Sequence, residues 1–243
     1  MKVSLFIPCT VDLLMPRVGI AAYRLLERTG ARCVYHEEQT CCGQAFFNSG
    51  FLGKARRVAR HFVEVFENDD VVVSPCGSCV VMVKQHYPEL FAGDAAWYGR
   101  AVDLSGRVYE LSQFLVDVMG VTDLGAVFDG AVAYHESCHV LRGLGVSDEP
   151  KRLISAVRGA RLVDMDGAQS CCGFGGEFSV VYPDISREIL KDKVAAFIGS
   201  KADVLVLNEP GCLLNIGGYV RRHHPSRRVM HLAEFLDTHS RRA

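Results

Sequence analysis

The sequence lacks both an excess of charge and a long apolar run. Its 27 Lys and Arg residues balance 28 Asp and Glu residues, which removes the electrostatic footprint of a protein that binds nucleic acid or an anionic membrane surface. No apolar run reaches the roughly 18 residues of a membrane-spanning helix, and the N-terminal run is broken by Pro8 and Asp12, unlike a signal peptide. We therefore expect a cytoplasmic protein with no membrane span and no nucleic-acid partner.

Several cofactor motifs are also missing. The chain has no compact C-x2-C-x2-C-x3-C-P run of a ferredoxin, no haem motif and no G-x-G-x-x-G dinucleotide fingerprint, a spacing that the GFGG segment at 173–176 does not meet. The sequence thus offers no site for a hydride-accepting cofactor. We do not expect the chain by itself to be a complete dehydrogenase.

Cysteine, in contrast, is abundant. The 243 residues include ten cysteines, and CC pairs occur at 41–42 and 171–172, each followed by glycine. A chain of this length with 49% hydrophobic residues can bury a core without disulfides. Adjacent cysteines are also poor disulfide partners, because the bond strains the peptide between them. We interpret the cysteines as metal ligands or redox groups.

The two halves of the chain repeat each other. The matched segments, in the same order in both halves, are KVSLFIPC with AVAYHESC, GARCV with GARLV, QTCCG with QSCCG, DVVVSPCGSC with DVLVLNEPGC, and RVYELSQFL with RVMHLAEFL. Short apolar strands alternate with amphipathic helices, which is typical of βαβ units in a mostly parallel sheet. We predict an α/β fold made by tandem duplication of two βαβ-type domains, 1–124 and 125–243.

One amphipathic helix is expected in each half after the CC pair. The apolar positions that recur at helical spacing are Phe51, Ala55, Val58, Phe62 and Phe66 in the first half, and Ile185, Ile189, Val194, Phe197 and Ile198 in the second.

Nine cysteines follow predicted strands. Repeat one supplies Cys9, Cys41, Cys42, Cys76 and Cys79, and repeat two supplies Cys138, Cys171, Cys172 and Cys212. Ligands gather beyond the carboxyl ends of parallel strands, and sets rich in thiolates select zinc, copper(I) or iron–sulfur clusters. Adjacent cysteines with remote partners favour a cluster over a tetrahedral zinc ion, although zinc and a metal-free catalytic dithiol stay open. The tenth cysteine, Cys33, matches Leu162 and is predicted to pack in a core.

The pattern C-x31-CC-x33-C-x2-C, followed by C-x32-CC-x39-C, resembles the CCG or cysteine-rich domain family, whose members include a component of heterodisulfide reductase and the iron–sulfur subunit of glycolate oxidase. The segments CCGQ and CCGFGG are most similar to its lactate utilisation members. The resemblance covers essentially the whole chain. It implies iron–sulfur binding and participation in the oxidation of L-lactate to pyruvate, with lactate utilisation proteins B and C as partner subunits.

The resemblance is unequal between the repeats. Alignment of the preceding strands places Cys79 opposite Cys212 and Cys76 opposite Glu209, so repeat two lacks one family cysteine. For the five-cysteine motif the resemblance implies an unusual noncubane 4Fe–4S cluster, whereas four thiolates suffice for a cubane. Asn215 is out of register for a ligand, and we expect Glu209 to face solvent or form a nearby hydrogen bond rather than bind metal.

The segment HESCH at 135–139 formally satisfies the H-E-x-x-H signature of zinc proteases. It follows a predicted strand directly and contains Cys138, so the helix that this signature requires is not expected. His135 and His139 are instead candidates to tune the second cluster by hydrogen bonding or to move a proton, or to form a buried polar turn.

These observations favour an iron–sulfur electron-transfer subunit of a lactate-oxidising complex. A heterodisulfide or ketoacid reductase with its chemistry at the repeat-one cluster is an alternative, and a zinc-stabilised interaction module without a redox role is another. A visible absorption band that bleaches with dithionite distinguishes a cluster from zinc.

Overall fold

The computed structural model describes residues 1–240 and contains two four-stranded parallel sheets, one in each half of the chain. The strands are β1 (Lys2–Leu5), β2 (Arg32–Val34), β3 (Val72–Ser74), β4 (Val108–Glu110), β5 (Val127–Tyr134), β6 (Arg158–Val163), β7 (Val204–Leu207) and β8 (Arg228–His231). The strand orders, β2-β1-β3-β4 and β6-β5-β7-β8, are the same. The predicted α/β tandem duplication is confirmed.

Every pairing within the two sheets is parallel, and the central strands occupy equivalent positions. In β1, Ser4 lies opposite Val72, and in β5 Ala133 lies opposite Leu205. The VVS run of β3 and the VLVL run of β7 are buried at every position. Such continuous runs are expected of parallel strands that are covered on both faces. All carboxyl ends of a sheet therefore lie along one edge.

Helices connect the strands. They are α1 (Cys9–Leu14), α2 (Pro16–Arg28), α3 (Gln44–Asn48), α4 (Leu52–Phe66), α5 (Gly77–Val81), α6 (Tyr87–Leu90), α7 (Ala95–Ser105), α8 (Leu111–Gln113), α9 (Asp148–Ser155), α10 (Glu177–Val181), α11 (Pro183–Gly199), α12 (Pro210–Cys212), α13 (Gly218–His223) and α14 (Leu232–His239). Single π-helical turns lie at Met82–His86, Phe114–Val118, His139–Gly143 and Leu213–Gly217. No helix within residues 1–240 has the length and apolar composition needed to cross a bilayer.

The helices α4 and α11 bury the same face in the same register. The buried positions, in matching order, are Ala55, Ala59, Phe62, Val63 and Phe66 in α4, and Ser186, Leu190, Lys193, Val194 and Phe197 in α11. Phe51 and Ile185, two of the apolar positions in the helical patterns, are each 55% exposed and do not lie on this buried face. Hydropathy misplaced this face because two of its buried positions are the polar residues Ser186 and Lys193.

One hydrophobic cluster runs through both halves. It joins Val3 and Leu25 of repeat one with Val132 and Phe235 of repeat two. Helix α2 packs against α14, and the Arg28 guanidinium lies 2.9 Å from the Asp237 carboxylate at this contact. The domain boundary that the sequence predicts between residues 124 and 125 lies just before β5 and stays a prediction. The halves are thus joined by a continuous core.

The chains of the two repeats also approach closely near the ends of β3 and β5. A Cβ atom placed on Gly77 would lie 2.2 Å from Val140 Cγ2, and one on Gly143 would lie 2.5 Å from Val81 Cγ2. Helix α5 therefore packs directly on the π turn that follows Cys138. Each repeat contributes one glycine and one valine to this contact, because only a glycine lets the partner valine come so near.

The helix after the last strand of each repeat begins with a buried side-chain cap. Glu110 accepts hydrogen bonds from the backbone N–H groups of Ser112 and Gln113, and His231 Nδ1 accepts one from Ala233 N–H. Each cap satisfies a donor that has no partner within the helix. These two residues hold equivalent places in the repeated segments RVYELSQFL and RVMHLAEFL.

Candidate metal centres

In repeat one the thiols lie beyond the carboxyl ends of β1, β2 and β3. The sulfurs of Cys42 and Cys79 are 3.1 Å apart, and those of Cys9 and Cys41 are 3.6 Å apart. Cys41 and Cys42 are adjacent in the chain, and Cys76 lies three residues before Cys79, with its Sγ 3.4 Å from Ser78 Oγ. The five thiols of repeat one thus lie at one edge of the sheet, although segments far apart in the chain supply them, and their role as metal ligands stays a prediction.

Short sulfur–sulfur contacts shift the pKa values of these thiols. Hydrogen bonds from Cys41 and then Cys79 lower the pKa of the buried Cys42 thiol to about 6. The Cys79 pKa is raised well above its ordinary value, chiefly because of its side-chain hydrogen bond with Cys42. The site thus stabilises thiolate at Cys42, and thiolate is the form that binds metal.

Repeat two brings four thiols together in the same way. The sulfurs of Cys172 and Cys212 are 2.9 Å apart, Cys171 is adjacent to Cys172 in the chain, and Cys138 follows β5 at the same edge of the sheet. The backbone N–H of Gly173 donates to Cys171 Sγ at 3.3 Å, as the N–H of Gly43 does to Cys41 Sγ in repeat one. These N–H groups neutralise charge on sulfur, as expected around a thiolate-liganded metal centre.

The glycine after each CC pair is required by the backbone. Gly43 has a φ of +86° and Gly173 a φ of +83°, a region that other residues rarely adopt. A Cβ atom on Gly173 would also lie 2.5 Å from the carbonyl oxygen of Ser186 on α11. The third letter of the CCG motif therefore lets the cysteine loop turn back against the helix that follows it.

A polar side chain in each repeat holds the carbonyl of the second CC cysteine. The Tyr87 hydroxyl donates to Cys42 O at 2.8 Å, and the Asn215 amide donates to Cys172 O at 2.9 Å. The Asn215 side chain thus bonds to the backbone, and this agrees with the expectation that it is not a metal ligand. No sequence pattern singles out Tyr87, because a tyrosine within an apolar helix is typical of a core position.

His135 lies beside the repeat-two thiols. One of its ring nitrogens and the sulfurs of Cys172 and Cys212 are all within 4.8 Å of one another, a group that could hold a metal ion. Its Nδ1–H donates to Ala168 O at 3.1 Å, and burial lowers its pKa to about 3, so the imidazole is neutral. Nε2 is buried without a hydrogen-bond partner among the described residues. Such an arrangement, with one nitrogen fixed by a carbonyl and the other free, is typical of a metal-binding histidine.

The zinc-protease interpretation of HESCH fails on this geometry. His135 follows β5 in an extended loop, and His139 begins a single π turn, with Nδ1 3.8 Å from Cys138 Sγ. The two histidines are therefore not on one face of a helix, which the protease motif requires.

Glu209 reaches from repeat two into repeat one. Its carboxylate accepts hydrogen bonds from the Ser78 N–H at 2.8 Å and the Ser78 hydroxyl at 2.9 Å, and lies 3.7 Å from Cys76 Sγ. Only 7% of Glu209 is exposed. It is hydrogen-bonded nearby, one of the two outcomes expected from the sequence, but its partner lies in the other repeat.

Cys33 lies apart from both groups. It is in β2, half-buried against the core shared by the two repeats, and burial raises the pKa of its thiol to about 11. Its environment is that of a packing residue.

The comparisons with known proteins agree with this duplicated arrangement. The family model described as a cysteine-rich domain, CCG, matches residues 3–84 and 132–217. The chain is 47% identical to lactate utilization protein A of Oceanobacillus iheyensis, over 98% of each chain. It is 46% identical to the protein of the same name from Geobacillus kaustophilus, over 98% of this chain and 99% of that one. An aspartate racemase homologue from Pyrococcus horikoshii OT3 aligns over 98% of this chain and 96% of its own, with 10% identity and a TM-score of 0.35, which carries no argument about function. The chain belongs to the cysteine-rich (CCG) domain family, of which it contains two copies, and it is similar over its full length to members named lactate utilization protein A.

Proposed function

We propose that this chain is an iron–sulfur electron-transfer subunit of a cytoplasmic assembly that oxidises L-lactate to pyruvate. The observation that carries the proposal is the convergence of nine thiols into two groups, one at the carboxyl-terminal edge of each sheet. The relatives named lactate utilization protein A support the pathway.

The donor sets fit iron–sulfur chemistry. The proposed ligands are Cys9, Cys41, Cys42, Cys76 and Cys79 for a noncubane 4Fe–4S cluster in repeat one, and Cys138, Cys171, Cys172 and Cys212 for a cubane in repeat two. Soft thiolates suit iron in a sulfide cluster, and such centres supply one-electron transfer. The protein holds the thiols together and surrounds them with N–H donors and buried side chains that tune the potential.

Partner subunits are part of the proposal. Lactate oxidation removes two electrons and two protons, and no segment of this sequence matches a hydride-accepting cofactor site. We propose that lactate utilisation proteins B and C complete the assembly. Lactate should reduce an artificial acceptor when all three chains are combined. Turnover by this chain alone would contradict the electron-relay assignment.

Metal analysis tests the cofactor. We expect the protein purified without oxygen to be brown and to contain iron and acid-labile sulfide in near-equal amounts. Cys41→Ser should remove the repeat-one cluster, because serine is a harder and less acidic ligand, whereas the control Cys33→Ala should keep both clusters. Zinc as the sole metal would overturn the proposal.

A second candidate concerns repeat two alone. The compact group of His135, Cys172 and Cys212 resembles the mixed nitrogen and sulfur ligand sets of zinc, so a structural zinc ion is the alternative occupant of this site. The Cys41→Ser variant, which leaves repeat two as the intact site, decides between them: iron with sulfide supports the cubane, and zinc supports the alternative.

A further inference from the structure

The two metal sites differ most beneath the CC loops. Helices α4 and α11 bury matching faces, and the residue of α11 in the place of Phe62 is Lys193. The glycines after the CC pairs confirm this register independently, since Gly43 faces Ala55 O and Gly173 faces Ser186 O, the same step along each helix. One position thus carries an aromatic ring in repeat one and an ammonium group in repeat two.

Aromatic rings support the site of repeat one. The ring centroid of Phe62 lies 4.8 Å from that of Phe6, 4.6 Å from that of Phe66 and 5.5 Å from that of Tyr87. Phe6 is followed three residues later by Cys9, and Tyr87 holds the Cys42 carbonyl. None of these four side chains, which pack beneath the thiols of repeat one, is charged.

Lys193 is as deeply buried as Phe62, with 1% of its surface exposed. Its Nζ donates to Gly167 O at 2.5 Å and to Ala168 O at 3.2 Å, and these two residues belong to the loop that leads to Cys171. Within residues 1–240 no carboxylate forms an ion pair with this ammonium group. Its positive charge is therefore not cancelled by a direct contact.

The charge lies close to the thiols of repeat two. Lys193 Nζ and His135 Nδ1 both donate to Ala168 O, at 3.2 and 3.1 Å, and a ring nitrogen of His135 lies within 4.8 Å of the sulfurs of Cys172 and Cys212. Burial lowers the pKa of Lys193 to about 8, and Cys172, Cys212 and Cys171 act against this shift by favouring the protonated lysine. By reciprocity, the ammonium group stabilises negative charge on those thiolates. The effect is large for buried groups, because few water molecules screen it.

The thiols of repeat one are held beside a carboxylate and outnumber those of repeat two, although Glu209 also raises the pKa of Cys138 in repeat two. The Glu209 carboxylate lies 3.7 Å from Cys76 Sγ, and repeat one has five thiols where repeat two has four. An anionic environment disfavours the addition of an electron, and a cationic one favours it.

We propose that Lys193 makes the repeat-two site the more electropositive of the two, so that a metal centre held there has the higher reduction potential. This inference rests on the proposed iron–sulfur function. Lys193 raises this potential through the thiolate ligands without binding the metal itself. Because repeat one has no such lysine, the centre of repeat two is reduced before that of repeat one.

The wild-type protein provides the first test. Electron paramagnetic resonance spectra, recorded during a redox titration with dithionite, give a midpoint potential for each centre, and the Cys171→Ser variant identifies the repeat-two signal by its loss. We expect the repeat-two signal to appear at the higher potential. The reverse order would overturn the inference, even if both clusters are present. A protein that contains zinc and no iron would overturn the proposed function as well.

Variants then isolate the charge. Lys193→Met removes the ammonium group with little loss of volume and should lower the repeat-two midpoint by at least a tenfold change in the reduction equilibrium, about 59 mV for one electron. Lys193→Arg keeps the charge and should stay near the wild-type value. Lys191→Met is the matched control, because Lys191 is exposed on the same helix and pairs with Glu188 at 2.7 Å. It should shift neither midpoint.

Two results would show that Lys193 is only structural. One is an unchanged repeat-two midpoint in a Lys193→Met protein that keeps its iron. The other is an equal shift of both midpoints, which would indicate a general change of fold. If Lys193→Met loses the repeat-two cluster, the wild-type order together with the Lys193→Arg midpoint decides the inference.

Discussion

The close contact between α5 and the π turn of the other repeat can be tested by adding one methyl group. Gly77 begins α5, next to Cys76, and its φ is not in the left-handed region, so alanine is compatible with the backbone. The added Cβ would nevertheless lie 2.2 Å from Val140 Cγ2 and 3.4 Å from Val140 Cβ. Val140 is 1% exposed and cannot turn away into solvent. We therefore expect Gly77→Ala to destabilise the protein.

The magnitude follows from the overlap. Overpacking by one methyl group in a packed core costs about 1–3 kcal/mol. Val140→Ala alone should cost about 1.5 kcal/mol, because it removes two buried methyl groups. In the double variant the clash disappears, so its loss of stability should be smaller than the sum of the two single losses, with a coupling energy of about 0.5–3 kcal/mol.

Thermal unfolding without oxygen, on samples with equal iron per chain and at one scan rate, measures these effects. For a chain of about this size each kcal/mol corresponds to about 2–4 °C in Tm. The control is Gly99→Ala, since Gly99 is exposed within α7 and a Cβ there meets no atom within 4 Å. This variant should gain up to about 1 kcal/mol from helix propensity. Additive losses for Gly77→Ala and Val140→Ala, or a Gly77→Ala protein as stable as wild type, would refute the predicted contact.

Three further predictions concern the sites and a buried acid. Cys171→Ser should lose iron from repeat two only, whereas Cys33→Ala should keep the wild-type iron content, and iron loss in a folded Cys33→Ala protein would contradict its packing role. Glu209→Gln should leave the repeat-two spectrum unchanged and Cys76→Ala should alter only the repeat-one spectrum, so an unchanged Cys76→Ala spectrum would remove Cys76 from the ligand set. Burial raises the pKa of Glu110 from 4.5 to about 7, so the folded chain binds this proton more tightly and the free energy of unfolding should fall by about 3 kcal/mol as pH rises through that interval. Denaturant unfolding at several pH values should show a weaker fall for Glu110→Gln, and equal pH profiles would contradict this account.

The cysteine pattern and the strand pattern were predictable because both are local. An apolar run between turn residues predicts a buried strand, and a cysteine just beyond it must lie at the sheet edge where the other carboxyl ends meet. The repetition of QTCCG as QSCCG then predicts two such edges without any knowledge of how they pack. These arguments alone predict which cysteines lie at each edge, and their role as metal ligands stays a prediction.

The sequence did not determine how the two repeats contact each other. Glu209 is opposite Cys76 in an alignment, but only folding places its carboxylate on Ser78, because the contact depends on how α5 packs against repeat two. The same packing merges residues of both halves into one core, although the repeat pattern alone describes two units.

Lys193 shows the same limit within a single helix. Hydropathy assigns a lysine to the solvent face, and its burial becomes evident only when α11 is placed in register with α4 against the sheet. The sequence by itself therefore determined the duplicated fold and the identity of the thiols, since these depend on short-range patterns. The tertiary structure decided which charges lie beside each group of thiols, since burial and distance depend on contacts between segments that are far apart in the chain.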